Sequence, residues 1–163
     1  MSEEKFTFFW SGPFSNWYQP VTFDVDQVVY NCSEQYLMAE KARLFNDPNA
    51  LSQIMTAGHP RDQKHLGRDV KGFNKDKWNA VARDVMFKGC YAKFTQNAHL
   101  KIKLIATVGT TLVEASPRDQ IWGIGLSEND PRAQHRETWL GTNWLGETLT
   151  KVRDQILKED NNG

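Results

Sequence analysis

Apolar side chains recur at helical spacing through most of this 163-residue chain, which restricts it to a helix-rich fold. Near the C-terminus, Leu145, Leu149, Val152 and Ile156 form one stripe, and Asn143 is placed to cap that helix. A second periodic stretch follows Asn74 and comprises Trp78, Val81, Ala82, Val85 and Met86. Strand-like runs are short by comparison. The pattern predicts a helix-rich α+β domain with a small β-sheet.

Capping and breaking residues set the expected bounds of the other elements. Ser33 caps a helix over 34–45, Asp47-Pro48 starts one over 49–55, and Gly67 ends a short turn of helix over 61–66. Asn97 opens another helix, with Leu100 and Leu104 turned inward. The expected strands lie at 6–10 and 111–115, with a hairpin formed by 21–23 and 27–31.

The length suits one domain, which we expect over 6–158, with short flexible termini at 1–5 and 159–163. No apolar run is long enough to span a membrane, and the acidic N-terminus lacks the apolar region of a secretory signal. Cys32 and Cys90 lack the spacing of a disulfide framework and look like reduced thiols. We therefore expect a cytoplasmic protein, and the sequence indicates no membrane and no obligate protein partner.

The net charge of zero hides a basic middle segment. Residues 59–103 contain 11 Lys and Arg against 4 acidic residues, which gives +7 there and −7 in the rest of the chain. A basic segment suits an anionic ligand such as a phosphate or a nucleic acid. Solvated helix faces explain the same charge pattern without any ligand.

Motifs for metals and nucleotides are absent from the sequence. The four histidines stand apart from any His/Cys/carboxylate cluster, and there is no HExxH, CxxC or P-loop. Gly123-Ile124-Gly125 is only a GxG fragment, and a cysteine protease would need a histidine beside Cys32 or Cys90 in space. The sequence therefore predicts neither a metal nor a cofactor.

The helix that follows Ser33 carries an acid and a lysine on one face. Glu34 lies in the first turn, where the helix dipole favours a carboxylate, and Lys41 follows seven residues later. Seven residues fall roughly 20° short of two full turns, so the two side chains share a face with Met38 between them. Both side chains could reach one ligand lying along the helix, although an exposed charged face explains the pattern equally well.

Two further clusters combine polar groups with large rings. Asp119 and Trp122 lie in the glycine-rich loop 116–123, and Asn16 precedes Trp17 and Tyr18. Loops on a rigid scaffold often carry chemistry. Core packing is the alternative for both tryptophans, and Asp119 could instead cap its own turn.

Taken together, these segments resemble the NADAR family and occur in the family's order over roughly 6–156. The matching segments are Phe14-Ser15-Asn16-Trp17-Tyr18, Ser33-Glu34-Gln35-Tyr36, Glu40-Lys41-Ala42, Leu66-Gly67-Arg68, Lys77-Trp78, Ala92-Lys93-Phe94-Thr95-Gln96-Asn97, Leu112-Val113-Glu114, Asp119-Gln120-Ile121-Trp122-Gly123-Ile124-Gly125 and Gly141-Thr142-Asn143-Trp144-Leu145-Gly146. One departure is Gln35, where the bacterial pattern often has His, so no imidazole role carries over to that position.

The resemblance implies an N-glycosidase. Some family members cleave early riboflavin-pathway intermediates and release ribose 5-phosphate from a pyrimidine. Others remove ADP-ribose from the amino group of guanine in nucleic acid. Both reactions break a bond between an exocyclic amine and the anomeric carbon of a phosphorylated ribose, and neither needs a metal or a cofactor.

On the matched positions, the resemblance implies Glu34 as general acid/base, Lys41 as candidate amine nucleophile and Asp119 as second carboxylate. Arg68 suits a phosphate because its fork is bidentate. The other implied substrate-binding residues are Asn16 for ribose hydroxyls, Trp78 and Trp122 as rings that stack on the base or close the pocket, and Trp17, Gly123 and Asn143.

Three functions remain open at this stage. The leading one is removal of ADP-ribose from guanine bases, because the charged segment 127–139 resembles that of stand-alone family members acting on ADP-ribose. The alternative enzyme hydrolyses ribosylaminopyrimidine phosphates. A non-catalytic ADP-ribose or NAD-binding module is the third, and it would not require Glu34, Lys41 and Asp119.

Overall fold

A computed structural model describes residues 3–162 of the protein. Residues 1, 2 and 163, part of the predicted flexible termini, lie outside this range. The chain divides into two compact units, one comprising residues 3–15 and 98–162 and the other residues 16–97. In chain order the elements are β1 (Phe6–Phe9), β2 (Phe23–Val25), β3 (Val28–Tyr30), α1 (Ser33–Leu44), α2 (Pro48–Thr56), α3 (Pro60–Arg68), α4 (Lys75–Thr95), α5 (Ala98–Ile105), β4 (Thr111–Glu114) and α6 (Trp144–Asn162).

The first unit is built on the parallel pair β1 and β4. Phe6 lies opposite Thr111 and Phe9 opposite Glu114. Helix α6 packs against β4 through the predicted apolar stripe, whose members are all buried. The loop between β4 and α6 contains two short 3-10 turns, Pro131–Gln134 and Arg136–Thr138.

The second unit is organised around α1, which contacts α2, α3 and α4. Every residue from Ser33 to Ala39 is buried, and so is Ala42. The hairpin β2–β3 adds Phe23 and Tyr30 to this core, where the rings of Tyr30 and Tyr36 meet edge to face at 5.1 Å. The sequence allowed α1 an exposed charged face at its start, and the structure instead buries that end.

Several predicted signals are confirmed by hydrogen bonds. Asp47 accepts from the Ala50 amide ahead of Pro48, and Asn74 accepts from the Lys77 amide at the start of α4. The predicted Ser33 cap is wrong, because α1 begins at Ser33 and Cys32 holds the cap position without a side-chain bond. Gly67 was expected to end α3 but lies within it. Glycine is needed there because a side-chain carbon would overlap Met38 of α1.

The predicted small content of β-structure is present as two two-stranded sheets, β1–β4 and β2–β3. The hairpin turn falls at Asp26 and Gln27, whose φ values of 51° and 70° match the twist of the strands. At the other end of the chain, α6 continues to Asn162, so residues 159–162 are helical.

Candidate active site

Buried polar groups surround the first turn of α1. Glu34 is only 6% exposed, and its backbone N–H donates to the Asn16 carbonyl oxygen at 3.0 Å. Asn16 is also buried, and its Nδ2 donates to Met86 Sδ at 3.5 Å. Within residues 3–162, Asn16 Oδ1 and the Ser33 hydroxyl are buried without a hydrogen-bond partner. Buried polar atoms are normally paired, so an unpaired acceptor and an unpaired hydroxyl beside Glu34 are unusual.

Lys41 lies two turns along the same helix and is half-buried. Burial lowers the pKa of its ammonium group, the Glu34 carboxylate opposes that shift and the Arg68 guanidinium adds to it. The charges of Glu34 and Arg68 therefore both act on the Lys41 ammonium group. For Glu34 this agrees with the helix face that it shares with Lys41. The Nζ atom of Lys41 also lies 4.5 Å from the centroid of the Phe73 ring.

Gly67 explains how Arg68 comes close to α1. A side-chain carbon at Gly67 would overlap the sulfur of Met38, the residue between Glu34 and Lys41 on α1. Only glycine permits this approach of α3 to α1. Arg68 follows directly and is exposed, so its guanidinium group remains open to an anionic ligand.

Trp17 and Trp78, both predicted to bind substrate, have different surroundings. Trp17 is 41% exposed, meets the His59 ring edge to face at 6.3 Å and lies 5.9 Å from Lys64 Nζ. Trp78 lies near the start of α4 and is only 8% exposed. Trp17 therefore offers the larger open ring face within this unit.

The remaining predicted site residues belong to the first unit. One carboxylate oxygen of Asp119 accepts from the amides of Ile121 and Trp122 at 2.9 and 2.8 Å, which is the self-capping turn considered above. The Trp122 ring meets Trp144 edge to face at 5.6 Å. A side-chain carbon at Gly123 would lie 2.9 Å from the Glu114 carbonyl, so the loop passes close to β4 there.

Asn143, predicted to cap α6 or bind substrate, is fully buried and has a different set of bonds. Its Oδ1 accepts from the Glu114 amide and its Nδ2 donates to the Leu112 carbonyl, both at 3.0 Å. The predicted side-chain cap is wrong, because the Asn143 amide group bonds instead to two backbone groups of β4. Its φ of 55° suits asparagine, which tolerates the left-handed region.

Lys93 is a buried cation that the sequence reasoning did not single out. It is 1% exposed, and its Nζ lies 5.1 Å from the Phe94 ring and 5.6 Å from the Tyr18 ring. Burial lowers the pKa of Lys93 to about 8. Its position between Ala92 and Phe94, in a segment that resembles the family, was the available signal.

The two cysteines are buried free thiols. Cys32 Sγ donates to Gln63 Oε1 at 3.0 Å, and burial raises the pKa of Cys32 to about 11 and that of Cys90 to about 12. Neither thiol is ionised at neutral pH, which argues against a thiolate nucleophile. Among residues 3–162 there is no cluster of three or more potential metal ligands, and no helix has the length and hydrophobicity needed to cross a bilayer.

The structure is a helix-rich α+β fold, and helix α1 of the second unit carries the buried Glu34 and the half-buried Lys41 on one face. A model of the NADAR domain matches residues 5–157, and the chain belongs to this family. The resemblance seen in the sequence is thereby confirmed.

Named relatives support the same grouping. The chain is 39% identical over 147 residues to N-glycosidase R617 of Acanthamoeba polyphaga mimivirus, covering 87% of this chain and 86% of that protein. It is 42% identical over 130 residues to protein irg-1 of Caenorhabditis elegans, covering 78% of this chain and 61% of the worm protein's length. It is also 33% identical over 115 residues to the chloroplastic riboflavin biosynthesis protein PYRR of Arabidopsis thaliana, covering 68% of this chain and 17% of that protein.

A solved structure shows the same fold. The NMR structure of the Escherichia coli protein YbiA matches with a TM-score of 0.80 at 29% sequence identity, covering 100% of this chain and 91% of that chain. The predicted helix-rich α+β class is confirmed.

Proposed function

We propose that this protein is an N-glycosidase that cleaves the bond between the anomeric carbon of a phosphorylated ribose and an exocyclic amine. The observation that carries this proposal is the buried carboxyl of Glu34 sharing a helix face with Lys41, whose pKa is lowered by burial. The names of the relatives R617 and YbiA, both N-glycosidases, support the reaction class.

Two schemes fit this pair of side chains. In the first, the ribose ring opens and the neutral amine of Lys41 adds to C1, the exocyclic amine leaves with a proton from Glu34, and water hydrolyses the resulting Schiff base. In the second, Glu34 protonates the leaving nitrogen, the C1–N bond breaks through an oxocarbenium-like state, and water adds to C1. Lys41 then serves as a phosphate or hydroxyl contact.

Three other residues of the second unit have binding roles in this proposal. Arg68 contacts a phosphate through its exposed guanidinium group, Asn16 contacts a ribose hydroxyl, and Trp17 offers its ring to a base. Trp78, Asp119, Trp122, Gly123 and Asn143 keep the roles implied by the family resemblance as predictions.

We infer that the substrate is guanine carrying ADP-ribose, in DNA or RNA, so that the exocyclic amine of guanine is the leaving group. The segment 127–139 suggested this substrate, but its arginines bind carboxylates of the same unit: Arg132 pairs with Asp130, and Arg136 with Glu4 and Glu147. The stronger support is the row of exposed cations from Arg68 to Lys77, which suits a polyphosphate. The reduced buried thiols fit a reducing compartment, and a cytoplasmic location is part of this proposal.

The second candidate substrate is an early riboflavin intermediate, a ribosylaminopyrimidine phosphate. The plant relatives named PYRR, a riboflavin biosynthesis protein, favour it. The same bond type is cleaved, so Glu34 and Lys41 keep their roles and only the recognition of the base differs.

Parallel incubations test the function and separate the substrates. The protein is mixed with an ADP-ribosylated guanine oligonucleotide and, separately, with a ribosylaminopyrimidine phosphate, and chromatography follows the release of ADP-ribose from the first and of ribose 5-phosphate from the second. We expect release from the first and loss of at least about a hundredfold in rate for Glu34→Gln, since general acid–base catalysis contributes that much. The matched control is Glu40→Gln, because Glu40 lies on the same helix but pairs with Arg43 at 2.6 Å.

Each outcome of these incubations decides something. Release from the pyrimidine compound alone assigns the second substrate. Binding of ADP-ribose without release from either compound contradicts the enzyme and leaves a binding module. Equal losses in the two variants contradict the specific role of Glu34.

A further inference from the structure

Two phenylalanine rings and two lysines form a continuous cluster beside the candidate site. Lys41 Nζ lies 4.5 Å from the Phe73 ring, Phe73 meets Phe45 edge to face at 5.5 Å, and Lys77 Nζ lies 5.8 Å from the Phe45 ring. We call these four residues the aromatic–lysine cluster. Its first member, Lys41, belongs to the proposed catalytic pair, so the cluster starts at the site and leads away from it.

The fold holds the Phe73 ring partly open to solvent. The Lys71 amide donates to the Asp47 carboxylate at 2.9 Å, which ties the segment between α3 and α4 to the start of α2. Gly72, with a φ of 78°, makes the turn, and the Asn74 cap then starts α4. Phe73 is 45% exposed although it is fixed on both sides. A large apolar ring held open in this way is suited to a flat ligand.

We propose that the aromatic–lysine cluster binds the nucleotide next to the reacting one in a single-stranded nucleic acid. This inference rests on the proposed function, because it places the strand by the nucleotide at Glu34 and Lys41. A neighbouring base stacks on Phe73, and its phosphate lies against Lys77. Sites for single strands combine these features, an aromatic platform with a positive groove along the backbone.

The surrounding charge favours a polyanion with flat groups. From Arg68 to Lys77 the chain carries four cations (Arg68, Lys71, Lys75 and Lys77) against Asp69 and Asp76, and all six residues are exposed. An acidic peptide would use the cations and leave the rings unused. A ribosylaminopyrimidine phosphate has a single phosphate, which Arg68 alone could hold. A strand accounts for both the rings and the additional lysines.

Binding of an unmodified single strand tests this surface apart from catalysis. Fluorescence anisotropy measures the affinity of the full chain for a short labelled single-stranded DNA or RNA without ADP-ribose. We expect Phe73→Leu, which keeps an apolar cover over Lys41 but removes the ring, to weaken binding at least about fivefold. We expect Lys77→Gln to reduce the slope of log affinity against log salt by about 0.7 between about 50 and 200 mM salt.

The control variant is Lys103→Gln, which removes an exposed lysine of the basic middle segment in the other unit. Unchanged affinity in Phe73→Leu, a slope that falls equally in Lys77→Gln and Lys103→Gln, or equal competition by polyglutamate would each overturn the strand-binding surface. Tighter binding of duplex than of single strand would do the same, because stacking on Phe73 requires an open base.

Activity on an ADP-ribosylated guanine mononucleotide separates this inference from the proposed function. We expect Lys77→Gln to cleave the mononucleotide at the wild-type rate, and we expect both Lys77→Gln and Phe73→Leu to lose at least about fivefold in kcat/KM on the oligonucleotide relative to the mononucleotide. Wild-type protein that binds strands through Phe73 but cleaves neither compound would contradict the proposed function alone. Cleavage of both compounds at rates that neither variant changes would contradict the surface alone.

Discussion

Gly89 of α4 lies directly against the ring of Tyr36 on α1, and a side-chain carbon at Gly89 would overlap two atoms of that ring. The Tyr36 ring is buried and is fixed edge to face by Tyr30 and Phe23. The contact sets how closely α1, which carries Glu34 and Lys41, approaches α4, which carries Lys93. The geometry of the candidate site therefore depends on a glycine in the middle of a helix.

We expect Gly89→Ala to destabilise the protein, because overpacking against a rigid buried ring costs about 1–3 kcal/mol. The gain in helix propensity, about 1 kcal/mol, offsets part of that cost and leaves a net loss of up to about 2 kcal/mol. Chemical denaturation measures the change. Gly58→Ala is the control, since nothing lies within 4 Å of a side-chain carbon there. A Gly89→Ala protein as stable as the control would contradict the close contact.

The sequence predicted helices well where a local signal started them. Asp47-Pro48 and Asn74 cap their helices because the interactions involve neighbouring residues. It could not predict the pairing of β1 with β4, since the partners are about a hundred residues apart. It also gave Gly67 a local role as a helix stop, whereas its role depends on Met38 of another helix.

The candidate site was predictable in part for the same reason. Helix geometry alone predicts that Glu34 and Lys41 share a face. The signal for Arg68 was its bidentate guanidinium group, which suits a phosphate. The burial of Lys93 depends on packing against rings such as Tyr18, which no local pattern shows. The exposed ring of Phe73 was missed because its position depends on Gly72 and on the bond from Lys71 to Asp47.

Asn143 provides a test of support against substrate binding. We expect Asn143→Ala to cost about 1–3 kcal/mol or more in unfolding free energy, because the Glu114 amide and the Leu112 carbonyl lose their partner. Thermal or chemical denaturation measures this loss, with the exposed Asn129→Ala as control. A protein of unchanged stability that has lost affinity for ADP-ribose would instead support the substrate-binding role.

Arg68→Ala should weaken binding of a phosphorylated substrate more than it slows bond cleavage. Loss of a hydrogen bond from a charged group costs about 1.5–3 kcal/mol, which corresponds to a rise of roughly ten- to a hundredfold in Kd for ADP-ribose. Calorimetry and steady-state kinetics measure the two effects. Arg61→Ala, an exposed arginine of the same helix, is the control. Unchanged affinity with a collapsed kcat would refute the phosphate contact.

The buried Lys93 should make stability depend on pH. Its pKa is lowered by burial to about 8 in the folded protein from 10.5, so the unfolded chain binds more protons between these values. Folding stability contributed by this residue therefore rises as pH increases through that window, by up to about 1.4 kcal/mol per pH unit, and is constant below it.

Comparison of Lys93→Met with the wild type isolates this effect. The raised pKa values of Cys32, about 11, and Cys90, about 12, lower stability only above about pH 9, and the charge of Lys93 influences both thiols, so the comparison uses the range below pH 9. We expect the stability of Lys93→Met relative to wild type to fall between pH 8 and 9 in denaturation curves, whatever its offset at pH 7. A difference that stays constant across this range would show that the Lys93 pKa is not lowered.

Lys41 decides between the two proposed schemes. An amine nucleophile must be neutral when it attacks C1, and burial lowers the pKa of Lys41 in the direction that this requires, with Arg68 adding to the shift and Glu34 opposing it. If Lys41 forms a Schiff base, the rate rises with pH until its lowered pKa is passed. Borohydride added during turnover then traps a ribosyl adduct, seen as a mass increase on the peptide that contains Lys41.

The variant Lys41→Arg keeps the charge but cannot form the Schiff base, so we expect it to bind ADP-ribose and to lose nearly all activity. The control is Lys88→Arg, which alters an exposed lysine paired with Asp26 and which we expect to stay active. Substantial activity in Lys41→Arg without any trapped adduct would exclude the Schiff base and assign the reaction to the oxocarbenium scheme, with Glu34 as the acid.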